Sequence, residues 1–243
     1  MVRATRQPGD GDRRILLVRV GADQSPPGGV FNAPVDTETR EFLYVGIPET
    51  QPAIAGWEHP YAQMATKLAR MGTPLPASLR YRNMHLDPDF AHCTYGDHGR
   101  RAAQLARLAR GDMVLFYAGL RAIRERTLVY ALVGHLTVAR SVSAIELVDP
   151  SLNVHAQRQT VPADDVVVVG TRRGSGRYAR CIPIGIFRDG AYRVRHELLD
   201  AWGGLAVKNG FLQRSAGFPR LLDPDRFLDW LAAQHVRLVR RND

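Results

Sequence analysis

The stretch "GDMVLFYAGL", residues 111–120, decides the fold. Gly111 and Asp112 supply turn chemistry, and everything from Met113 to Ala118 is apolar or aromatic. An unbroken run rich in Val, Leu, Phe and Tyr suits a strand buried in a sheet. Further along, "TLVYALVGHLTVARSV" (127–142), "DDVVVVGTRR" (164–173) and "RYARCIPIGIF" (177–187) have the same β character. The middle of the chain is therefore expected to be strand after strand.

Toward the N-terminus, "RILLVRVG" (14–21) and "REFLYVGIP" (40–48) read as strands separated by the long loop "ADQSPPGGVFNAPVD" (22–36). Helical spacing of Tyr61, Met64, Leu68 and Met71 predicts a helix in "PYAQMATKLARMG" that Gly72 closes. A second helix is expected in "HGRRAAQLARLARGD", with Ala102, Leu105, Ala106, Leu108 and Ala109 on its apolar side. Asp97 stands at the capping position, and Gly111 ends the element. Two more helical pieces, "RHELLDAW" and "DPDRFLDWLAAQHVRLV", follow near the C-terminus. The latter has a core stripe of Phe227, Leu228, Leu231, Val236 and Leu238, with Trp230 also read as core. The fold class is α+β, with α/β the near alternative: a mixed central β-sheet with surrounding helices. Residues 1–13 read as a disordered lead-in and 14–243 as one globular domain, because no long Pro/Gly/Ser linker divides the chain.

Basic residues outnumber acidic ones 33 to 24, a formal net charge of +9, and only Lys67 and Lys208 among them are lysines. Arginine offers a flat five-donor fork for phosphate and a plane that stacks on bases. The balance favours a polyanionic partner, nucleic acid or nucleotide first. Genomic composition accounts for arginine in place of lysine but not for the excess charge. Cys93 and Cys181 are far apart with no CxxC, which excludes a zinc quartet and suggests free thiols in a reducing cytoplasm. "ILLVRV" is too short for a signal peptide, and no apolar run reaches membrane-spanning length. Neither a cofactor nor an oligomeric state is named by the sequence.

The richest concentration of reactive groups is "NMHLDPDFAHCTYGDHGRR", residues 83–101. On an extended segment His85, Asp87 and Asp89 share one face. They read as a general base, Asp87 or Asp89, assisted by His85 or His98. Against this stands a structural reading, in which Asp87-Pro88-Asp89 shapes a turn and Asp97 caps a helix. A divalent ion ranks below both, since no metal spacing such as HExxH is present, and no metal ligand is assigned.

Tyr95 and Tyr117 are candidates for stacking or hydrogen bonding a base, with Trp57 as a further platform. Asp23, Asn32 and Asp36 in the first long loop offer donors and acceptors for a base edge, or simply shape the loop. "GTRRGSGRYAR" (170–180) sets Arg172, Arg173 and Arg177 among glycines, as a phosphate-holding loop or a solvated hairpin loop. Lys208 and Arg214, in the stretch with Trp202 and Gln213, extend the phosphate set. The absence of GxSxG, GxGxxG and Walker A patterns argues against a hydrolase elbow, a dinucleotide fold and a P-loop.

Two resemblances follow from these segments. "GDMVLFYAGL" with "LVYALVGHLTVARSV" is similar to PUA-like domains (the EVE, ASCH and YTH groups), which implies a partial barrel and binding of RNA or modified bases. "ILLVRVGAD", "FNAPVD", "YVGIPE", "MHLDPDF", "TYGD", "RCIPIGIFRDGAYRV", "AWGGL" and "LDPDRFLDW" come in order and resemble the nucleotide modification associated domain 3 family. That resemblance implies a setting in base modification and carries over no catalytic residues. The expected function is a nucleic-acid-associated protein that recognises or processes a modified base or nucleotide. The alternatives are an enzyme acting on a free nucleotide or nucleotide sugar, and a non-catalytic interaction subunit.

Overall fold

The apolar run at 113–118 lies in the middle of a seven-stranded mixed sheet. The computed structural model describes residues 13–24, 31–213 and 217–243. In chain order the elements are β1 (Ile15–Arg19), β2 (Pro34–Val35), β3 (Ile47–Pro48), α1 (Ala65–Arg70), β4 (Met84–His85), β5 (Thr94–Asp97), α2 (Gly99–Leu105), β6 (Met113–Ala122), β7 (Leu128–Ser143), β8 (Val166–Pro183), β9 (Gly185–Arg188), β10 (Ala191–Val194), α3 (His196–Ala201), α4 (Pro224–Ala233) and β11 (Leu238–Val239). The sheet order is β1-β6-β7-β8-β11, with β2 on the far end of β6 and β5 on β8. Strands β1 and β2 run parallel to β6, and the other pairings are antiparallel. The sheet does not close into a barrel, so the partial-barrel expectation gives way to an open mixed sheet.

Why β6 is apolar without alternation follows from its position. Val114, Phe116, Ala118 and Leu120 enter one core. Met113, Leu115 and Tyr117 enter a second on the opposite face. A strand covered on both faces has no polar side to show. In β1, Leu16 and Val18 join the first core, while Ile15 and Leu17 join the second. The first core is closed by residues from the long N-terminal excursion, including Phe42, Tyr44, Tyr61, Leu68, Phe90 and Leu105. The second is closed by Trp202, Phe227 and Leu231 of the C-terminal helical region, where the Trp202 ring packs edge-on against Phe227 and Trp230.

Several expectations are corrected. "GTRRGSGRYAR" is no loop: it lies within β8, and register shifts against β7 absorb its extra residues. "REFLYVGIP" is no regular strand. Phe42 forms one isolated bridge, Leu43 to Val45 are buried in succession, and only Ile47–Pro48 pairs as β3. The helix at 98–112 stops at Leu105, leaving Ala106 and Ala109 exposed. The last helix ends at Ala233, and Leu238 belongs to β11 instead of the helical stripe. Tyr117 lies inside β6, next to a bulge, and does not end it. Of the lead-in, residues 1–12 lie outside the described residues, as do Pro26 to Gly29. Cys93 and Cys181 are free and buried. Among the described residues no helix is long and apolar enough to cross a membrane.

His135, on β7, is 6% exposed, and its ring nitrogen Nδ1 lies 3.0 Å from the Tyr178 hydroxyl. Burial lowers its pKa to about 4. The unfolded ring takes a proton at about 6.5. Stability from the neutral ring is therefore complete above that value and falls as the pH drops toward 4. Denaturant melts should show about 2 kcal/mol more loss between pH 7.5 and 5 in the wild type than in His135→Gln. Equal losses in the two proteins would show that this ring does not govern the acid limb.

Candidate functional site

The sheet brings distant segments to one cleft. Strand β1 delivers Arg19, and the chain beyond it delivers Gly21 and Asp23. Strand β4 carries His85, and the turn after it carries Asp87. From β5, paired to the start of β8, come Tyr95, Gly96 and Asp97. The irregular segment between β7 and β8 does not line the cleft; it backs Asp87 with Asn153 and His155, and Asp165 holds His155, all three 2% exposed or less. The cleft measures about 250 Å³, and Arg101, Tyr117 and Phe218 complete much of its wall. A larger groove of about 660 Å³, lined by Arg40, Arg180, Cys181 and Arg237 among others, lies elsewhere. It gathers no comparable set of carboxylates and imidazoles, so size is outweighed by chemistry.

Asp87 is the hub. Its Oδ2 accepts from the Gly96 amide at 2.8 Å, and its Oδ1 accepts from Asn153 Nδ2 at 3.1 Å. The Tyr44 hydroxyl donates to its backbone carbonyl at 2.6 Å. Two imidazoles face the same carboxylate oxygen: His155 Nε2 at 3.5 Å and His85 Nε2 at 3.9 Å. Each ring is held from behind. His85 Nδ1 lies 2.6 Å from Glu49 Oε2, and His155 Nδ1 lies 2.5 Å from Asp165 Oδ2. Arg158 donates to that same Asp165 oxygen at 2.7 Å. The two rings meet edge to face with centroids 5.0 Å apart.

Gly96 makes this packing possible. A Cβ at that position would stand 2.5 Å from Cδ2 of the His155 ring. Glycine thus lets the imidazole lie against the backbone whose amide holds Asp87. Gly46 does the same for β4, where a Cβ would stand 2.4 Å from the His85 carbonyl.

The charges are strongly coupled. Burial alone would raise the Glu49 pKa, but the His85 hydrogen bond and the Thr50 and Gln51 amides hold it near 2. Burial alone would lower the pKa of His155, but Asp165 and Asp87 raise it to about 9. Asp165 is lowered against its own burial by His155 and Arg158. Tyr95 is pushed well above the phenol range by burial and then by Asp97, so it stays a donor, to Asp97 Oδ2 at 2.8 Å. In a protein of net charge +9, this cleft concentrates acid groups.

His85, Asp87, Asp23, Tyr95 and Tyr117 from the sequence reading all line the cleft, and His98 lies at it. Asp89 does not line it. Its Oδ1 accepts from the amides of Ala91 and His92 and from Asn242, and its Oδ2 meets His92 Nδ1 at 2.7 Å. It is the organiser of a turn. Asp36 likewise accepts from the Glu38 and Thr39 amides in a separate turn, and Asn32 donates to the Gly119 carbonyl at 2.7 Å. Tyr117 donates to the Leu212 carbonyl at 2.7 Å. Arg177 is buried over the Phe42 ring, 4.9 Å from its centroid, and burial lowers its pKa to about 10. Arg172, Arg173 and Lys208 are exposed and away from the cleft. Trp57 is half-buried outside it, Trp202 is core, and Arg214 lies outside the described residues.

Asp97 is not a helix cap. It pairs with Val166 at the end of β5, and its carboxylate takes the Tyr95 hydroxyl and the His98 amide. The amide of Gly99, which opens α2, is met by Asp164 instead. His155, Asn153, Asp165 and Glu49 are the residues that sequence reading missed. They sit in irregular or near-irregular segments with no recognisable spacing to His85, so only the folded chain assembles them.

The sequence profile described as nucleotide modification associated domain 3 matches residues 14–202. The chain belongs to the nucleotide modification associated domain 3 family. No curated protein and no solved structure matches it. The matched range holds every hub residue above, from Glu49 to Asp165, whereas "LDPDRFLDW" lies beyond it. The PUA-like similarity finds no support. This member of the family is therefore placed in a nucleotide-modification setting, with Asp87 and its imidazole and acid partners inside the family region and part of the cleft wall, Phe218 included, beyond it.

Gly96→Ala should force His155 off Asp87, with a stability loss of about 1–3 kcal/mol. Thermal melting together with the His155 side-chain NMR resonances reads the effect. An unchanged melting temperature and unchanged resonances would show that the close approach is not obligatory.

Proposed function

We propose that this cleft receives one base or nucleotide and that the protein recognises or processes it within a nucleic-acid modification system. The observation that carries the reading is Asp87, a carboxylate of the family region set between two imidazoles that are each fixed by their own acid, at the edge of a cleft. A volume of about 250 Å³ suits a single base or nucleoside and not a duplex. In this reading Asp87 serves as general base, with His85 and His155 facing its carboxylate and holding its position. Tyr95, Asp97 and Asp23 offer donor and acceptor groups to a base edge. Arg19, paired with Asp23 at 2.9 Å, and Arg101, 5.6 Å over the Phe218 ring, stand at the wall, where a phosphate would share them with these partners, and the exposed Arg172 and Arg173 add to the field that attracts a polyanion.

A free nucleotide is the second reading, because a cleft of one-base size admits a mononucleotide as readily as an extruded base. Oligonucleotide binding separates the two. An attachment to polymer should weaken about 10-fold or more between 50 and 200 mM salt and exceed mononucleotide affinity. Tight mononucleotide binding with a flat salt response supports the second reading.

The residue assignment has its own test. Asp87→Asn should abolish turnover or base-dependent binding. Asp89→Asn should cost about 1–2 kcal/mol of stability, through its lost turn bonds, with function retained. The reverse pattern, function surviving at Asp87 and lost at Asp89, overturns the assignment.

A further inference from the structure

We infer that His85, Asp87 and His155 form a binding site for a divalent transition-metal ion. The inference deepens the reading of the same cleft, with Asp87 a ligand there in place of a general base, and it can be tested with no nucleotide present. Three donor atoms, one from each residue, lie within 4.8 Å of one another. The Asp87 oxygen stands 3.5 and 3.9 Å from the two Nε2 atoms. These separations are long for hydrogen bonds. They are close to the spacing of about 3.4 Å between two ligands on a tetrahedral ion with bonds near 2.1 Å. The third separation, between the two imidazoles, is bounded at 4.8 Å, so a cation at the centre would draw the two rings together.

A second observation is independent of that convergence. Both imidazoles commit Nδ1 to a carboxylate, Glu49 for one and Asp165 for the other, and both present Nε2 inward. Carboxylate–histidine pairs of this kind fix the tautomer and aim the ring at a metal. A merely structural histidine needs one such partner and no shared target. Asp87 is braced in the same way, by Gly96 N and Asn153 Nδ2. All three ligands are thus preoriented by neighbours that do not themselves converge on the centre.

The donor set decides the class of ion. Two imidazoles and one carboxylate suit zinc, ferrous iron, cobalt or manganese. Calcium and magnesium favour all-oxygen shells. Both cysteines are buried outside the group, so no thiolate joins it. Three protein ligands leave at least one coordination position for water or a substrate atom. His85 and Asp87 line the cleft, which places that position beside Tyr95 and Asp97.

The test uses untagged full-length protein stripped with a chelator and dialysed against Co²⁺, Zn²⁺, Mn²⁺ or Mg²⁺. Metal content is read by mass spectrometry, and Co²⁺ by its visible absorption. Wild-type protein should hold about one equivalent of Co²⁺ or Zn²⁺. Asp87→Ala and His155→Ala should each hold less than about a tenth, with circular dichroism confirming that they fold. Glu49→Gln should keep the site but weaken it about 10–100-fold, which a simple loss of fold would not produce. His92→Ala, which breaks a His–Asp pair outside the cleft, should bind as wild type. No bound Co²⁺ or Zn²⁺ in the wild type, a preference for Mg²⁺, or full binding retained in Asp87→Ala would overturn the site. Base or nucleotide binding measured on the stripped protein stands apart: its failure bears on the proposed function and leaves the metal result intact.

Discussion

Two adjacent residues in β6, Leu115 and Phe116, face opposite cores, and the rest of the structure depends on that double burial. A strand with both faces covered needs chain on each side. The C-terminal helical region closes one face, and residues 31–108 close the other. This second cover is mostly irregular, with short strands and short helices, and its order comes from large side chains set against the sheet. Phe90 shows the arrangement well, lying edge-on to both Tyr44 and Phe116. The turn that carries Asp87 and Asp89 is pinned between that aromatic cluster and β5.

The cleft follows from the same constraint. Because β5 pairs with β8 from Thr94 to Asp97, Gly96 presents its amide to Asp87 and leaves space for His155. Because β4 pairs with β3, His85 stands within reach of Glu49. His85 is carried by a strand, and Asp87 and His155, which are not, are held by buried partners: Gly96 and Asn153 for the one, Asp165 for the other. Such preorganisation is what separates a site from an incidental cluster of polar residues. Asp89 and His92, only a few residues away, show the contrast, for their bonds close a turn.

Much of the sheet was legible in the sequence because β6, β7 and β8 are long and buried, and burial leaves an apolar record. The exceptions have physical causes. Residues 170–180 look like a loop because glycine and arginine dominate them, yet pairing with β7 keeps them in β8. Residues 40–48 look like a strand because they are apolar, yet their burial comes from packing and not from a ladder. Asp97 looks like a cap because a helix follows it, while its carboxylate is taken by Tyr95 and the His98 amide. In the site, the period-two reading grouped His85, Asp87 and Asp89, and the fold keeps the first two at one cleft while the turn takes Asp89 away from it. That spacing gave no hint of His155, which reaches His85 and Asp87 only through the segment between β7 and β8. The family was legible too, from segments spread along the chain in order, most of them inside the matched range.

The acid–histidine cleft is the centre of this account, and its most direct test is a crystal structure with a bound mononucleotide. The account predicts electron density for the base in the cleft, within hydrogen-bonding reach of Asp87 or of the Tyr95–Asp97 pair. Density in the groove lined by Arg40 and Arg180, with the cleft over Asp87 empty, would contradict it.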